Sequence, residues 1–184
     1  MKFIETKIED LIVIEPTVFG DNRGYFLESY NQDKLENIIG KVSFVQDNES
    51  KSSKGVLRGL HFQKPPFDQA KLVRCIEGRV LDVAVDLRNG SKTYGQYEAI
   101  ELSSENKKQL FVPRGFAHGF LVLSKSAIFS YKVDNIYAPD YDSGICWNDP
   151  ILNIPWGVDE SDILVSEKDS KLSFFSEFKS PFTI

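Results

Sequence analysis

Between Arg79 and Arg88 apolar and polar positions alternate strictly. Leu81, Val83, Val85 and Leu87 share one face of an extended chain, and Val80, Asp82, Ala84 and Asp86 share the other. The first face reads as core. The second, short and partly acidic, suits solvent and the polar lumen of a barrel equally. The same period puts His118, Phe120 and Val122 on one side of a second strand, and Phe129, Tyr131 and Val133 on one side of a third. His118 and Tyr131 therefore stand among neighbours that seek burial. Buried polar groups need hydrogen-bonding partners, so a pocket holding these two should also hold their complements. Short apolar runs of this kind recur between turn signals over most of the chain, which predicts an all-β sandwich or barrel. One segment departs from the pattern. Residues 32–39, with Asn31 as N-cap, Leu35, Ile38 and Ile39 on one face and Gly40 as terminator, predict a short helix packed outside the sheets. Near the end, Phe174, Phe175, Phe178 and Phe182 predict an arm docked on the body or on a neighbouring subunit.

With 184 residues the chain is long enough for one well-buried core and short for two, so one domain over residues 1–184 is expected. Fourteen Phe and seven Tyr against a single Met add to the β reading. The net charge of −5 argues against nucleic acid or an anionic membrane as partner, while leaving room for a local basic pocket for a small anion. No apolar run reaches the roughly 18 residues of a spanning helix, and Met1–Glu5 lacks a signal peptide's apolar stretch, so a cytoplasmic protein is expected. Cys75 and Cys146 are far apart and make neither a disulfide scaffold nor a zinc framework; both read as small hydrophobes in strands.

The chain has only two histidines, each in a dense polar cluster: Arg58-Gly59-Leu60-His61-Phe62-Gln63 and Pro113-Arg114-Gly115-Phe116-Ala117-His118-Gly119. Imidazole, with an unperturbed pKa of about 6.5, takes and returns protons near neutrality, which points to proton transfer. Around His61 stand Arg58, Gln63 and, past Pro65-Pro66, Lys71: a base, two cations and an amide within one hairpin's reach. The plain alternative is a core histidine beside solvated edge cations. Pro113-x-Gly115-x-x-His118 resembles the second motif of the cupins, many of which hold a metal. The first cupin motif is not met, because its His-x-His is here His61-Phe62-Gln63 and its ligating glutamate is replaced by Lys71. An ammonium repels a cation and two histidines alone make a poor transition-metal site, so no metal is expected.

A more specific resemblance runs through the chain. Phe19-Gly20-Asp21-Asn22-Arg23-Gly24-Tyr25-Phe26-Leu27-Glu28, Val45-Gln46-Asp47-Asn48-Glu49-Ser50, Leu57 to Gln63, Asp82 to Arg88, Val112 to Phe120 and Ser166-Glu167-Lys168-Asp169 resemble, in order and spacing, the dTDP-4-dehydrorhamnose 3,5-epimerase family. The resemblance implies a cupin-type jelly-roll homodimer, without metal or cofactor, that epimerises a nucleotide-linked 4-keto-6-deoxy sugar at C3 and C5. It implies His61 as base, Asp169 as its carboxylate partner, Lys71 as the cation at the enolate oxygen and Tyr131 as the acid on the opposite face. It also implies Arg23 and Arg58 at the pyrophosphate, Glu28, Gln46 and Asn48 around sugar and base, and His118 as a substrate-positioning donor. Lys168 would lie beside the dyad and Tyr137 would stack on the thymine, while Asp142 stands where the family often has glutamate.

Taken alone, several of these residues have simpler readings. Tyr131 fits a core tyrosine, Ser166-x-x-Asp169 a helix-capping box, Arg23 a turn arginine, and Gln46 and Asn48 strand-end polars. Asp82 is open between orienting Lys71 and holding the sugar. In dimers of the family the N-terminal strand can cross to the partner and carry Arg23 and Glu28 into the neighbouring site. Two other functions fit the same scaffold. One is a relative that inverts a single carbon or isomerises the keto sugar. The other is a non-catalytic sugar-binding cupin, which would be expected to lose the base, its carboxylate or the lysine.

Overall fold

The computed structural model describes residues 1–184 and contains thirteen strands and one α-helix. The elements are β1 (Lys2–Glu5), β2 (Ile12–Glu15), β3 (Val18–Asp21), β4 (Gly24–Leu27), α1 (Gln32–Ile39), β5 (Gln46–Ser53), β6 (Leu57–Gln63) and β7 (Lys71–Glu77). They continue with β8 (Arg79–Asp86), β9 (Tyr97–Ser103), β10 (Gln109–Val112), β11 (Phe116–Val122), β12 (Ser126–Val133) and β13 (Asp142–Gly144). Two antiparallel sheets face each other, one in the order β1-β2-β10-β7-β12-β5 and the other β13-β6-β11-β8-β9. The crossing connections and the double layer are those of a cupin-type jelly roll, the architecture the alternating pattern predicts. No helix is long and apolar enough to cross a membrane.

Three buried clusters hold the layers together. Val73, Cys75, Val80, Ala84, Leu110, Phe120 and Phe129 fill the space between the sheets. Leu57, Val83, Val85, Leu121, Trp147, Trp156 and Phe182 cover the outer face of the second sheet. Ile12, Ile14, Leu72 and Phe111 meet Leu35 of α1 on the outer face of the first. Strand β8 is therefore buried on both faces: Val83 and Val85 look outward under the C-terminal segment, and Val80, Asp82 and Ala84 look into the lumen. The lumen, of the two readings left open by the sequence, is where the acidic face lies. Asp86 is also fully buried, and Arg88, Ser91 and Thr93 donate to its carboxylate.

Helix α1 begins where Asn31 Oδ1 accepts the Lys34 N–H at 3.1 Å and ends at Gly40. Of its predicted apolar face Leu35 is fully buried, whereas Ile38 stays 52% exposed, because a helix of two turns covers only the rim of the sheet. The phenylalanine arm docks on its own barrel. Phe178 and Phe182 stand edge-on to Phe62 at 5.4 and 5.5 Å between ring centroids, and buried Asp149 accepts the Phe175 N–H at 2.6 Å. Cys75 is a buried strand residue as expected; Cys146 is buried too, but lies just beyond β13 rather than in a strand.

The hairpin β3–β4 pairs only with itself. Phe19, Tyr25 and Phe26 on it are more than half exposed. Isolated two-stranded hairpins are marginal in water, and adjacent exposed aromatics mark a contact surface.

One irregularity decides the chemistry of β6. Its register with β11 runs from His61↔His118 to Arg58↔Phe120, so Gly59 and Leu60 together oppose the single residue Gly119. Strict alternation would send residues 58 and 61 to opposite faces; the bulge turns both inward. Only glycine fits there. Gly59 has φ of +142°, and a Cβ on it would come within 2.6 Å of Gly119 Cα.

Candidate active site

A cavity of about 520 Å³ opens between the sheets and holds most of the chemistry-bearing residues read from the sequence. A larger cleft of about 940 Å³ lies outside the first sheet, between α1, the β1–β2 turn and Arg114. It contains no histidine, lysine–tyrosine pair or dyad, so the smaller cavity is the candidate site. Strands β6 and β11 of the second sheet supply Arg58, His61 and His118. Strands β7 and β12 of the first supply Lys71 and Tyr131, with Phe120 and Phe129 as apolar walls. The segment from Leu164 to Asp169 closes one side. It is fastened by Leu57 N–H donating to Leu164 O at 2.9 Å and Leu164 N–H donating to Gly55 O at 2.8 Å.

His61 and Asp169, 108 positions apart, meet with Nε2 2.6 Å from Oδ1. Asp169 is 3% exposed and its other oxygen accepts the Gly59 N–H at 3.3 Å. Burial alone would raise this carboxyl's pKa; the hydrogen bond to and charge of His61, with the Gly59 N–H, outweigh it and hold Asp169 below the usual carboxylate value. Ser166 Oγ accepts the Asp169 N–H at 3.1 Å, one half of the capping-box pattern; the Asp169 carboxylate goes to His61 and the Gly59 N–H instead of returning to Ser166. With Nε2 engaged, Nδ1 is the ring nitrogen left for a substrate proton.

Lys71, only partly buried, lines the same cavity and makes no hydrogen bond or ion pair within the chain. Burial lowers its pKa to about 8, against the fields of Asp142 and Asp82 that favour the ammonium. It is thus charged at neutrality, and its discharge above about pH 8 should set a basic limb in any activity that needs the cation. Tyr131 is half-buried; burial raises its pKa above the ordinary tyrosine value, against the opposing charge of Arg58, so it remains a protonated phenol.

His118 lies beside His61 across the β6–β11 ladder. Its Nε2 is 3.0 Å from each oxygen of Asp82, which is fully buried on the neighbouring strand β8. Asp82 was open between Lys71 and the sugar in the sequence; its hydrogen bonds go to His118. Arg58 Nε donates to Ser52 Oγ at 3.1 Å, and Ser52 is nearly buried. Nothing in the sequence marked that serine beyond its place on β5, whose lumen-facing positions 46, 48, 50 and 52 are all polar.

The remaining assigned residues lie at the mouth or outside. Gln46 Nε2 donates to Asn48 Oδ1 at 2.9 Å, and Gln46 Oε1 accepts the Tyr137 N–H at 3.1 Å. Tyr137, about half exposed, donates its hydroxyl to Asp142 Oδ2 at 3.0 Å, and Lys168 donates to that same oxygen. Gln63, in the first histidine cluster, instead binds the backbone at Phe67, Ile136 and Ala138 and is structural. Arg23 and Glu28 are not brought to this cavity by their own chain. Arg23 pairs with Asp21 at 2.6 Å on the outstanding hairpin, and Glu28 pairs with Lys34 at 2.7 Å.

Comparison with known proteins gives one consistent result. The family model for dTDP-4-dehydrorhamnose 3,5-epimerase matches residues 5–177. The dTDP-4-dehydrorhamnose 3,5-epimerase of Escherichia coli K12 is 54% identical over 178 residues, covering 96% of each chain. The crystal structure of the enzyme of that name from Elizabethkingia anophelis superposes with a TM-score of 0.93 at 55% identity, covering 96% of this chain and 97% of the other. The Legionella pneumophila epimerase RmlC, solved in complex with dTDP-4-keto-L-rhamnose, gives a TM-score of 0.92 at 45% identity over 97% of this chain and 94% of its own. Agreement of sequence and fold over nearly the full length places the chain in the dTDP-4-dehydrorhamnose 3,5-epimerase family.

Proposed function

We propose that this enzyme, residues 1–184 acting as one unit, uses the His61–Asp169 dyad, Lys71 and Tyr131 to perform the family's reaction without metal or cofactor. That reaction is epimerisation of dTDP-4-dehydro-6-deoxy-D-glucose at C3 and C5 to dTDP-4-dehydro-L-rhamnose. The observation that carries this reading is the placement of base and phenol on opposite sheets of one cavity, with a free ammonium in the same space.

Both reacting carbons flank the C4 ketone, so their hydrogens are acidified by the same carbonyl. In the gluco-configured chair the C3 and C5 hydrogens are axial on the same ring face. One base therefore serves both carbons, and one acid on the far face serves both returns. His61 Nδ1 takes the hydrogen as a proton while Asp169 steadies the imidazolium that forms. The C–H electron pair becomes the enolate double bond, and the carbonyl pair moves to the C4 oxygen, which meets the Lys71 ammonium. Tyr131 then delivers its hydroxyl proton to the same carbon from the other face, with the enolate pair forming the new C–H bond. The imidazolium loses its proton to solvent and the phenolate regains one, which resets the site for the second carbon.

Arg58 suits the pyrophosphate, with Ser52 fixing its plane. Gln46, Asn48, Tyr137, Asp142 and Lys168 form the rim where the nucleotide would enter, and His118 offers a further polar contact to the sugar. In deuterated water the product should carry deuterium at both C3 and C5. Label at one carbon alone would make the chain a mono-epimerase, and label at neither would leave a sugar-binding protein.

The protein is read as a cytoplasmic homodimer. The exposed aromatics of β3–β4 support this, because a second copy that receives the hairpin would gain Arg23 and Glu28 at its own site while covering Phe19 and Phe26. Mixed refolding of Arg23→Ala and His61→Asn chains tests it. If the hairpin crosses, the mixture regains activity at about a quarter of its sites, since half the dimers are mixed and each has one intact site. If each hairpin serves its own chain, the mixture stays as inactive as its parts.

A further inference from the structure

Asp82 belongs to no step of the reaction, yet it is a fully buried carboxylate one residue deep behind the cavity wall. Its only hydrogen-bonded partner is His118 Nε2, 3.0 Å from each of its oxygens. An ionised carboxylate in such a place is costly unless a specific donor and a nearby positive charge compensate it. His118 supplies the donor. The unpartnered ammonium in the adjoining space is Lys71, on which the field of Asp82 acts together with that of Asp142. The two carboxylates are not equivalent. Asp142 already receives Tyr137 and Lys168 at the exposed rim, whereas Asp82 has no other cation bonded to it.

We propose that Asp82 is a positioning residue of the epimerase: without touching substrate, it fixes which ring nitrogen of His118 faces the sugar and serves as the buried counter-charge for the Lys71 ammonium. Because Asp82 accepts the Nε2 hydrogen, Nδ1 of His118 is the nitrogen presented to the cavity. Because its charge lies behind the wall, it supports the ammonium without pairing with it, and the cation stays free for the C4 oxygen. The proposal rests on the assignment of Lys71 to that oxygen. The other charged or titratable groups around Lys71 are Arg58 and His61 on β6, His118 on β11, Tyr131 on β12, Asp142 on β13, and Lys168 and Asp169 on the closing turn.

Asp82→Asn keeps shape and can still accept from His118 through its amide oxygen, but loses the charge. It should lower kcat by about 10-fold, because the ring stays oriented and only the charge is lost, with KM nearly unchanged. It should also move the basic limb of the kcat profile to lower pH, because one of the two carboxylates that favour the ammonium is gone. Asp82→Ala, which frees the ring as well, should raise KM in addition. Asp82→Asn with full kcat and an unmoved limb overturns the proposal, because a merely structural carboxylate would change stability and leave the limb in place. Should the variant not fold, nitrogen NMR of His118 in the natural protein decides: hydrogen on Nε2 is required, and hydrogen on Nδ1 alone refutes it. Failure of the base assignment has a different signature, retained exchange in His61→Asn, whatever Asp82→Asn does.

Discussion

His61→Asn is expected to lower kcat by about 10²- to 10⁴-fold, the range a positioned general base contributes, and to abolish deuterium incorporation at C3 and C5 together. The joint loss is the informative part. The two hydrogens lie on one face of the ring, the face assigned to His61 and its Asp169 partner, so a single base removes both. Asparagine retains a donor toward Asp169 and similar bulk, so the fold and the affinity for dTDP should be kept, as checked by circular dichroism and calorimetric titration. Asp169→Asn should fall in the same direction, because the imidazole loses the carboxylate that holds Nε2 at 2.6 Å and stabilises its charged form. A His61→Asn enzyme that still exchanges either carbon at the natural rate would move the base elsewhere.

Lys71→Met should be nearly as damaging, about 10²- to 10³-fold in kcat, or about 3 to 4 kcal/mol of lost enolate stabilisation. Here activity and stability part ways. The Lys71 pKa is near 8 in the folded protein and near 10.5 otherwise. Between those values the unfolded chain binds more protons, so the residue's contribution to stability rises with pH across that window. Below it, a charged ammonium is held in a cavity that disfavours charge, and methionine should raise the melting temperature at pH 7 while silencing the reaction. The kcat of the natural enzyme should fall as pH climbs through about 8. Lys71→Arg, which does not discharge in that range, should lose the limb while keeping part of the rate. A limb unchanged in Lys71→Arg would assign it to another group.

How far the sequence reached depends on the range of the interactions. The alternation of β8 and the cap and stop of α1 are local and were legible. That β8 has no solvent face was not, because its outer side is covered by residues around Trp147, Trp156 and Phe182, far along the chain. Arg58 and His61 share a face only through the bulge at Gly59, for which the glycine itself was the available signal. The dyad was readable only through the family resemblance, since nothing in Ser166-x-x-Asp169 distinguishes a helix cap from a carboxylate that partners a distant histidine. The pairing of Asp82 with His118 needed strand neighbours, and Ser52 beneath Arg58 needed the register of β5. Arg23 and Glu28 are a different case. Their own chain leaves them on the surface, and a site they share would exist only between two copies.

The last sixteen residues, from Asp169 to Ile184, carry a responsibility out of proportion to their size. Asp169 reaches His61 from a single 3₁₀ turn, Asp169–Lys171, and the chain after it is seated by Asp149 on Phe175 and by two rings against Phe62. Fraying of this tail would strip the imidazole of its carboxylate while both sheets stayed intact. On heating, turnover would thus vanish ahead of the β-sheet signal.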